Sequence, residues 1–251
     1  MKQYFLYLII FLHLPLFTYI NQHNNFNAIL NYIDNTDHHP HTLVLLDIDN
    51  TLAQPRGTYL ASDQWVGYHI KQKMSAGLSA LQAWDEIKTL YFMLAPIIEL
   101  MLVEEITASI IKDLQARGII VVAITARSIE ISDCTIAQLK SLGIDLTINA
   151  LWDEEIVGQA TFDYRYKDGI IFCDSNEKGT VLELIMKIIN KPIKKVVVVD
   201  DKERHLHSIK KVLPPLVDFF GIRYGYLDHV VESFDIHQAE QDLQKYLITI
   251  Q

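Results

Sequence analysis

Three short runs in the chain are apolar almost throughout, and each ends on polar residues. Leu43 to Ile48 ends among acidic residues, Gly118-Ile-Ile-Val-Val-Ala-Ile124 ends at Thr125, and Lys195-Val-Val-Val-Val199 ends at Asp200-Asp201. A run without polar alternation predicts a strand buried on both faces. Helix-like stretches precede the second and third runs, at Ile106 to Ala116 and Val181 to Ile189. Helices alternating with short buried strands predict an α/β fold, a parallel sheet joined by crossover helices. Such sheets bind ligands beyond the carboxyl ends of their strands. All three runs carry their polar residues at that end.

The segment between the first two runs is longer than a crossover needs. Trp65 to Ile87 has scattered apolar positions that suit a helix. Leu90 to Val103 is more apolar, and Pro96 interrupts it. Residues 53–105 are therefore expected to form a helical cap inserted after the first strand; the alternative is a longer route past the sheet with ordinary helices. Further on, Phe162, Tyr164 and Tyr166 alternate with Asp163, Arg165 and Lys167, then Asp168-Gly169 and Ile170 to Cys173 follow. Period two around an Asp-Gly turn predicts a small β-hairpin, expected to project near the active end. Glu155 to Gln159 is short and mixed. After Asp201 the pattern predicts a helix at Glu203 to Val212, a break at Pro214-Pro215, a strand near Val217 to Tyr224 and an amphipathic helix near Ile236 to Leu247.

Two segments precede this core. Tyr4 to Ile20 is nearly all apolar behind a single Lys2, which predicts a signal peptide or membrane anchor over residues 1–20. An exported or membrane-associated domain, residues 21–251, is the expectation, and a buried N-terminal helix is the alternative. Residues 21 to 41 are rich in Asn, His and Asp and read as a linker with a short helix around Phe26 to Ile33. In it, His38-His39-Pro40-His41 admits metal binding, but a solvated turn fits adjacent histidines better.

Composition narrows the chemistry. A formal net charge of −9 repels a nucleic-acid backbone, so nucleic acid is not an expected partner. A phosphorylated substrate stays open, because a metal ion inverts the local field. Two cysteines, Cys134 and Cys173, exclude a disulfide framework and are expected to be small buried hydrophobes, with one bridge as the alternative.

Asp47 and Asp49 stand at i and i+2 just past a buried strand. One carboxylate can attack phosphorus while the other exchanges a proton with the leaving oxygen. A capped turn is the alternative for this pair alone. Thr125, followed by Ala126-Arg127-Ser128 and a helix, offers a hydroxyl and helix N-terminal N–H groups as a phosphate cradle; an ordinary cap is the alternative. Lys178 opens a helix, where a cation is electrostatically misplaced unless an anion faces it; a solvated lysine is the alternative. Asp200-Asp201 adds the hard oxygen ligands that magnesium prefers.

The order Asp47-Ile-Asp49-Asn-Thr51, strand-Thr125, Lys178, strand-Asp200-Asp201 resembles the four motifs of the haloacid dehalogenase-like hydrolase superfamily, mostly phosphatases. The resemblance implies a Rossmann-like three-layer core and an aspartyl-phosphate intermediate, with Mg2+ as cofactor. It implies Asp47 as nucleophile and metal ligand, and Asp49 as general acid and base with its carbonyl on the metal. Thr125 and Lys178 would hold the phosphoryl group beside Ala126 and Arg127. Asp201 would be the third-strand metal ligand with Asp200 supporting it. The last motif departs from the common pattern, and Glu203 or His205 is expected to supply the missing support. Gly169 to Gly179, with the first motif, also resembles a bacterial branch of secreted or effector-like proteins. The expected substrate is a phosphorylated small molecule or phosphopeptide, phosphotyrosine on a protein included. A phosphotransferase of the same fold, a non-catalytic effector or binding module, and a membrane-associated structural protein are the competing functions.

Overall fold

The structure is a computed structural model describing residues 18–33, 41–159 and 163–249. In chain order its elements are β1 (Thr18–His23), a 3-10 helix (Phe26–Tyr32), β2 (Thr42–Leu46), β3 (Ala53–Pro55), α1 (Asp63–Ser75), α2 (Ala80–Leu94), β4 (Leu100–Leu102), α3 (Thr107–Ala116) and β5 (Ile120–Thr125). There follow α4 (Ser132–Ser141), β6 (Ile156–Gln159), β7 (Asp163–Lys167), β8 (Ile170–Phe172), α5 (Lys178–Ile188), β9 (Lys195–Asp200), α6 (Glu203–Val212), β10 (Asp218–Tyr224), α7 (Asp228–Glu232) and α8 (Ile236–Thr249).

The three apolar runs become β2, β5 and β9, the centre of a sheet ordered β1-β10-β9-β2-β5-β8-β7-β6. All neighbours from β1 to β8 pair in parallel, with Val44 of β2 between Val197 of β9 and Val121 of β5. Alternate residues face opposite sides. Val44, Leu46, Val121 and Val197 pack beneath α3, α4 and the 3-10 helix. Leu43, Leu45, Val122 and Val198 pack beneath α5 and α6. The result is a three-layer, Rossmann-like core. From β2 the chain winds outward both ways, to β5 and β8 on one side and β9 and β10 on the other. The order reverses between β2 and β9, which opens a crevice at their carboxyl ends.

The segment between β2 and α3 carries the cap. β3 and β4 pair antiparallel as its stem, Ala53 opposite Leu102, and carry α1 and α2 between them. Ser62 and Ser79 cap the two helices, Ser79 in a reciprocal box with Gln82. α2 ends at Leu94, just before Pro96. Trp65, Tyr91 and Leu94 pack against Ala239 of α8, so the last helix serves the cap rather than the sheet.

Three expectations are corrected. Residues 21 to 41 are not simply a linker: β1 extends the sheet beside β10, and Phe26, Ile29 and Ile33 enter the core. Thr18 to Ile20, placed with the leader, belong to that edge strand; residues 1–17 and His38-His39-Pro40 lie outside the described residues. The hairpin does not project near the active end. β8 pairs in parallel with β5, and the Asp168-Gly169 turn precedes β8, on the side away from the carboxyl ends. The mixed stretch Ile156–Gln159 is a strand on that same edge. Cys134 and Cys173 are both free, and Cys173 is buried. No helix among the described residues is long and apolar enough to cross a membrane.

One packing contact fixes the helix that opens with Lys178. Gly179 N–H donates to Ser208 Oγ of α6 at 2.9 Å, and a Cβ at Gly179 would come within 2.2 Å of the Ser208 carbonyl oxygen. Backbone cannot yield cheaply there. Gly179→Ala is expected to lower stability by about 1–3 kcal/mol, read from the urea midpoint; an unchanged midpoint would show that the two helices separate freely.

Candidate active site

The carboxyl ends of β2 and β9 set two acidic groups around one buried ammonium. Asp47 continues β2, its N–H donating to the Val199 carbonyl at 2.9 Å. Lys178 Nζ lies 2.6 Å from Asp47 Oδ1 and 2.7 Å from Asp200 Oδ2. Its side chain is 1% exposed, and that of Asp200 is 0% exposed. Asp200 Oδ1 also accepts the Lys202 N–H at 2.8 Å, and His205 Nδ1 lies 3.0 Å away. Burial disfavours the Lys178 cation, yet the two carboxylates outweigh it and hold the ammonium protonated. Burial likewise works against the Asp200 anion, but Lys178 and His205 draw its carboxyl below the usual range. Asp47 goes the other way: burial and the Asp200 charge push it up against the pull of Lys178.

The second aspartate is held apart. Arg127 grips Asp49 with two bonds, Nη2 to Oδ1 at 2.8 Å and Nε to Oδ2 at 3.0 Å. Arg127 is itself seated on α4, Nη1 donating to Thr135 Oγ1 and Gln138 Oε1, each at 3.2 Å. Gln138 in turn donates to the Ala95 and Ile98 carbonyls at the base of the cap. Burial would raise the Asp49 carboxyl, but the guanidinium reverses this and holds it below the usual range. Thr125, buried at the end of β5, accepts the Arg127 N–H at 3.1 Å. No acceptor takes its hydroxyl hydrogen among the described residues, which leaves it free for an anion.

Asp201 is the under-satisfied member. Oδ2 accepts from Asn50 Nδ2 at 3.3 Å, while Oδ1 is buried without a partner. Burial and the Asp47 charge push this carboxyl up to about 8. Asp47, Asp200 and His205 each bring one ligand-capable atom within 4.8 Å of the others. Both Asp200 oxygens, however, are committed to Lys178, Lys202 and His205. That leaves the unpartnered Asp201 Oδ1 and the Asp47 oxygen not engaged by Lys178 as the uncommitted carboxylate oxygens. Both are hard oxygen donors, so these residues fit Mg2+, which Asp47 and Asp201 could hold.

A cleft of about 460 Å³ opens beside this cluster and meets it at Asp49, Arg127 and His205. Asp49, Ala126, Arg127 and Ser128 line its floor, and Val66, Ile70, Trp84 and Tyr91 of the cap line its roof. The structure therefore brings Asp47, Asp49, Thr125, Lys178, Asp200 and Asp201 to one end of the sheet. Arg127 faces Asp49 rather than standing open for phosphate. Of the two groups expected to support the last motif, His205 does so. Glu203 is exposed and pairs with His207 instead. Lys202, Asn50 and Gln64 were missed. Lys202 Nζ bonds Asp63 of the cap at 2.6 Å, and Gln64 Nε2 donates to Asn50 Oδ1 at 3.2 Å. Asn50 and Lys202 had only adjacency to the motif aspartates as a signal, since their partners Gln64 and Asp63 lie in the cap; Gln64 had none.

A family model described as a protein of unknown function (DUF2608) matches residues 22–249. No curated protein matches the chain. Among solved structures, the chain is similar to a haloacid dehalogenase-like family hydrolase of Streptococcus pneumoniae (12% identity, 77% of this chain and 98% of that one, TM-score 0.46). It is also similar to a protein of Burkholderia xenovorans designated a haloacid dehalogenase-like hydrolase (17% identity, 74% and 84%, TM-score 0.44). A third similar structure is a phospho-aspartyl intermediate analogue of phosphoserine phosphatase (18% identity, 77% and 98%, TM-score 0.40). With TM-scores below one half, these likenesses add no weight to the reading of the site.

The crowded carboxylates have a consequence for pH. A carboxyl raised in the folded chain binds its proton more tightly there than when unfolded, so the stability it contributes is present at low pH and lost as pH rises. Asp201 spans the window from its ordinary 3.8 to about 8, and Asp47 the part up to about 6. The metal-free protein is expected to lose stability from about pH 4 to about pH 8 through this pair, read as a falling urea midpoint that Mg2+ restores. A midpoint that rises across that window without metal would show that the two carboxylates are not crowded.

Proposed function

The chain belongs to the DUF2608 family of proteins of unknown function, and from its own site we propose that it is a Mg2+-dependent phosphomonoester hydrolase whose nucleophile is Asp47. The observation that carries this reading is the place of Asp47: at the switch point of the sheet, bonded through one oxygen to the buried Lys178, with an unpartnered Asp201 oxygen buried close by. No capped turn needs that arrangement. A binding module without turnover would have no use for a buried ammonium shared by two carboxylates, which is costly unless every member is paired.

The chemistry follows from the residues. Lys178 fixes Asp47 Oδ1, so Oδ2 is the oxygen presented to phosphorus. As it forms the new P–O bond, the ester oxygen leaves with the bonding pair and takes a proton from Asp49. A water then attacks the phosphorus, Asp49 accepts its proton, and the bond from Asp47 to phosphorus breaks to release inorganic phosphate. Thr125 Oγ and the Lys178 ammonium orient the phosphoryl oxygens and offset their charge. In the resting site Arg127 holds Asp49 ionised; an entering phosphomonoester monoanion gives the guanidinium a second anion, which loosens that grip, and passes its own proton to Asp49, so that Asp49 is protonated when the ester oxygen leaves. Mg2+, held by Asp47 and Asp201, would add charge neutralisation and keep both carboxylates ionised.

The roof of Val66, Ile70, Trp84 and Tyr91 suits an apolar or aromatic ester, so small aryl phosphates and phosphotyrosine are the proposed substrate class. Export or membrane attachment through the segment ahead of β1 remains part of the proposal. Asp47→Asn, which keeps the size of the side chain, is expected to abolish hydrolysis of p-nitrophenyl phosphate with the far-ultraviolet circular dichroism unchanged. Hydrolysis by that variant at the wild-type rate would remove Asp47 from the reaction.

A further inference from the structure

Near Asp201 the cap meets the catalytic loops through polar contacts. The first turn of α1 reaches them through two adjacent residues. Asp63 bonds Lys202 at 2.6 Å, and Gln64 Nε2 donates to Asn50 Oδ1 at 3.2 Å. Asn50 then passes the same polarity on, Nδ2 donating to Asp201 Oδ2 at 3.3 Å. Two amides in series thus lead from the cap to the carboxylate whose other oxygen is buried and unpartnered. Asn50 cannot easily turn aside. It sits in a left-handed conformation with φ 59°, in a turn where the N–H groups of Thr51, Leu52 and Ala53 all donate to the Ile48 carbonyl. The apolar contacts of the cap go elsewhere, to α8 and Ile131. Ordinary cap packing therefore explains the seat of α1 but not the chain of amides.

We propose that Gln64, acting through Asn50, positions Asp201 to hold a divalent cation, so that cap docking and metal binding are coupled. The inference rests on the metal-dependent reading above and adds the cap to it. Gln64 touches neither substrate nor metal and is a positioning residue. With the cap seated, Asp201 Oδ2 is held by Asn50 and Oδ1 is left to face the cation. With the cap lifted, Asn50 loses its acceptor bond from Gln64 and Asp201 loses its fixed orientation. Coupling of this kind is reciprocal, so the cation must also favour the seated cap.

The test needs no turnover. Mg2+ affinity is measured by isothermal titration calorimetry on the full chain without substrate, for wild type, Gln64→Met and Lys73→Ala. Methionine keeps the volume of Gln64 and removes its bond to Asn50. Lys73→Ala breaks an exposed ion pair with Glu86 within the cap and serves as control. Outer-shell partners of metal ligands are worth about 10-fold to 100-fold in affinity. Gln64→Met is expected to weaken Mg2+ binding about tenfold, with Lys73→Ala unchanged. In hydrogen exchange, Mg2+ should slow the amides of α1 in wild type and not in Gln64→Met. Equal Mg2+ affinity and equal α1 protection in wild type and Gln64→Met would overturn the relay alone. A wild type that binds no Mg2+ would overturn the relay and the metal reading together. Coupling observed in a protein that hydrolyses no phosphomonoester would uphold the relay while the proposed reaction fails.

Discussion

Lys178 places its ammonium between Asp47 and Asp200, and much of the site follows from that one buried cation. Two carboxylates at the ends of adjacent strands would repel each other in a low-dielectric interior. The ammonium offsets this, and it does so asymmetrically. Asp200, also held by His205 and the Lys202 N–H, becomes the settled anion, and Asp47 the unsettled one. Removing one partner from such a group leaves an uncompensated buried charge, which costs about 3–5 kcal/mol. A side chain fixed at that cost is a poor candidate for incidental surface chemistry and a good scaffold for a nucleophile. Its helix is seated against α6 by the close approach of Gly179 to Ser208.

The two aspartates of the first motif live in opposite environments although only Ile48 separates them. Asp47 faces a shared cation and a second carboxylate, while Asp49 faces a guanidinium of its own. Two carboxylates with environments pushed apart can divide the roles of nucleophile and proton carrier. Each half is also wired to the cap. Asp49 reaches its base through Arg127 and Gln138, and Asp201 reaches α1 through Asn50 and Gln64. Hydrogen bonds thus join both corners of the site to the cap that roofs the cleft.

The parts of this architecture that were legible in the sequence are those set by local pattern. Leu43–Ile48, Gly118–Thr125 and Lys195–Asp200 announced central strands because burial on both faces removes polar alternation. The order of polar residues at their ends then pointed to one site. Apolar spacing over Trp65 to Ile87 and the break at Pro96 marked the cap helices. What failed was long-range. Thr18–His23 has no distinctive strand pattern, and it becomes one by pairing with β10. The Asp168-Gly169 turn was correctly read as a hairpin, but which sheet β8 joins depends on Ile170 to Phe172 meeting β5. Arg127 looked like a phosphate ligand because it follows Thr125; Asp49, far away in sequence, claims it. Lys202, Asn50 and Gln64 were invisible for the same reason.

The central claim is that the phosphoryl group passes through Asp47. Its most direct test is to mix the protein with excess p-nitrophenyl phosphate and Mg2+, quench in acid within the first turnover, and map the peptides by mass spectrometry. A phosphoryl group on the peptide carrying Asp47, absent from Asp47→Asn, is the predicted result. A phosphoryl group on any other residue, or turnover in which Asp47 is never labelled, would contradict the account.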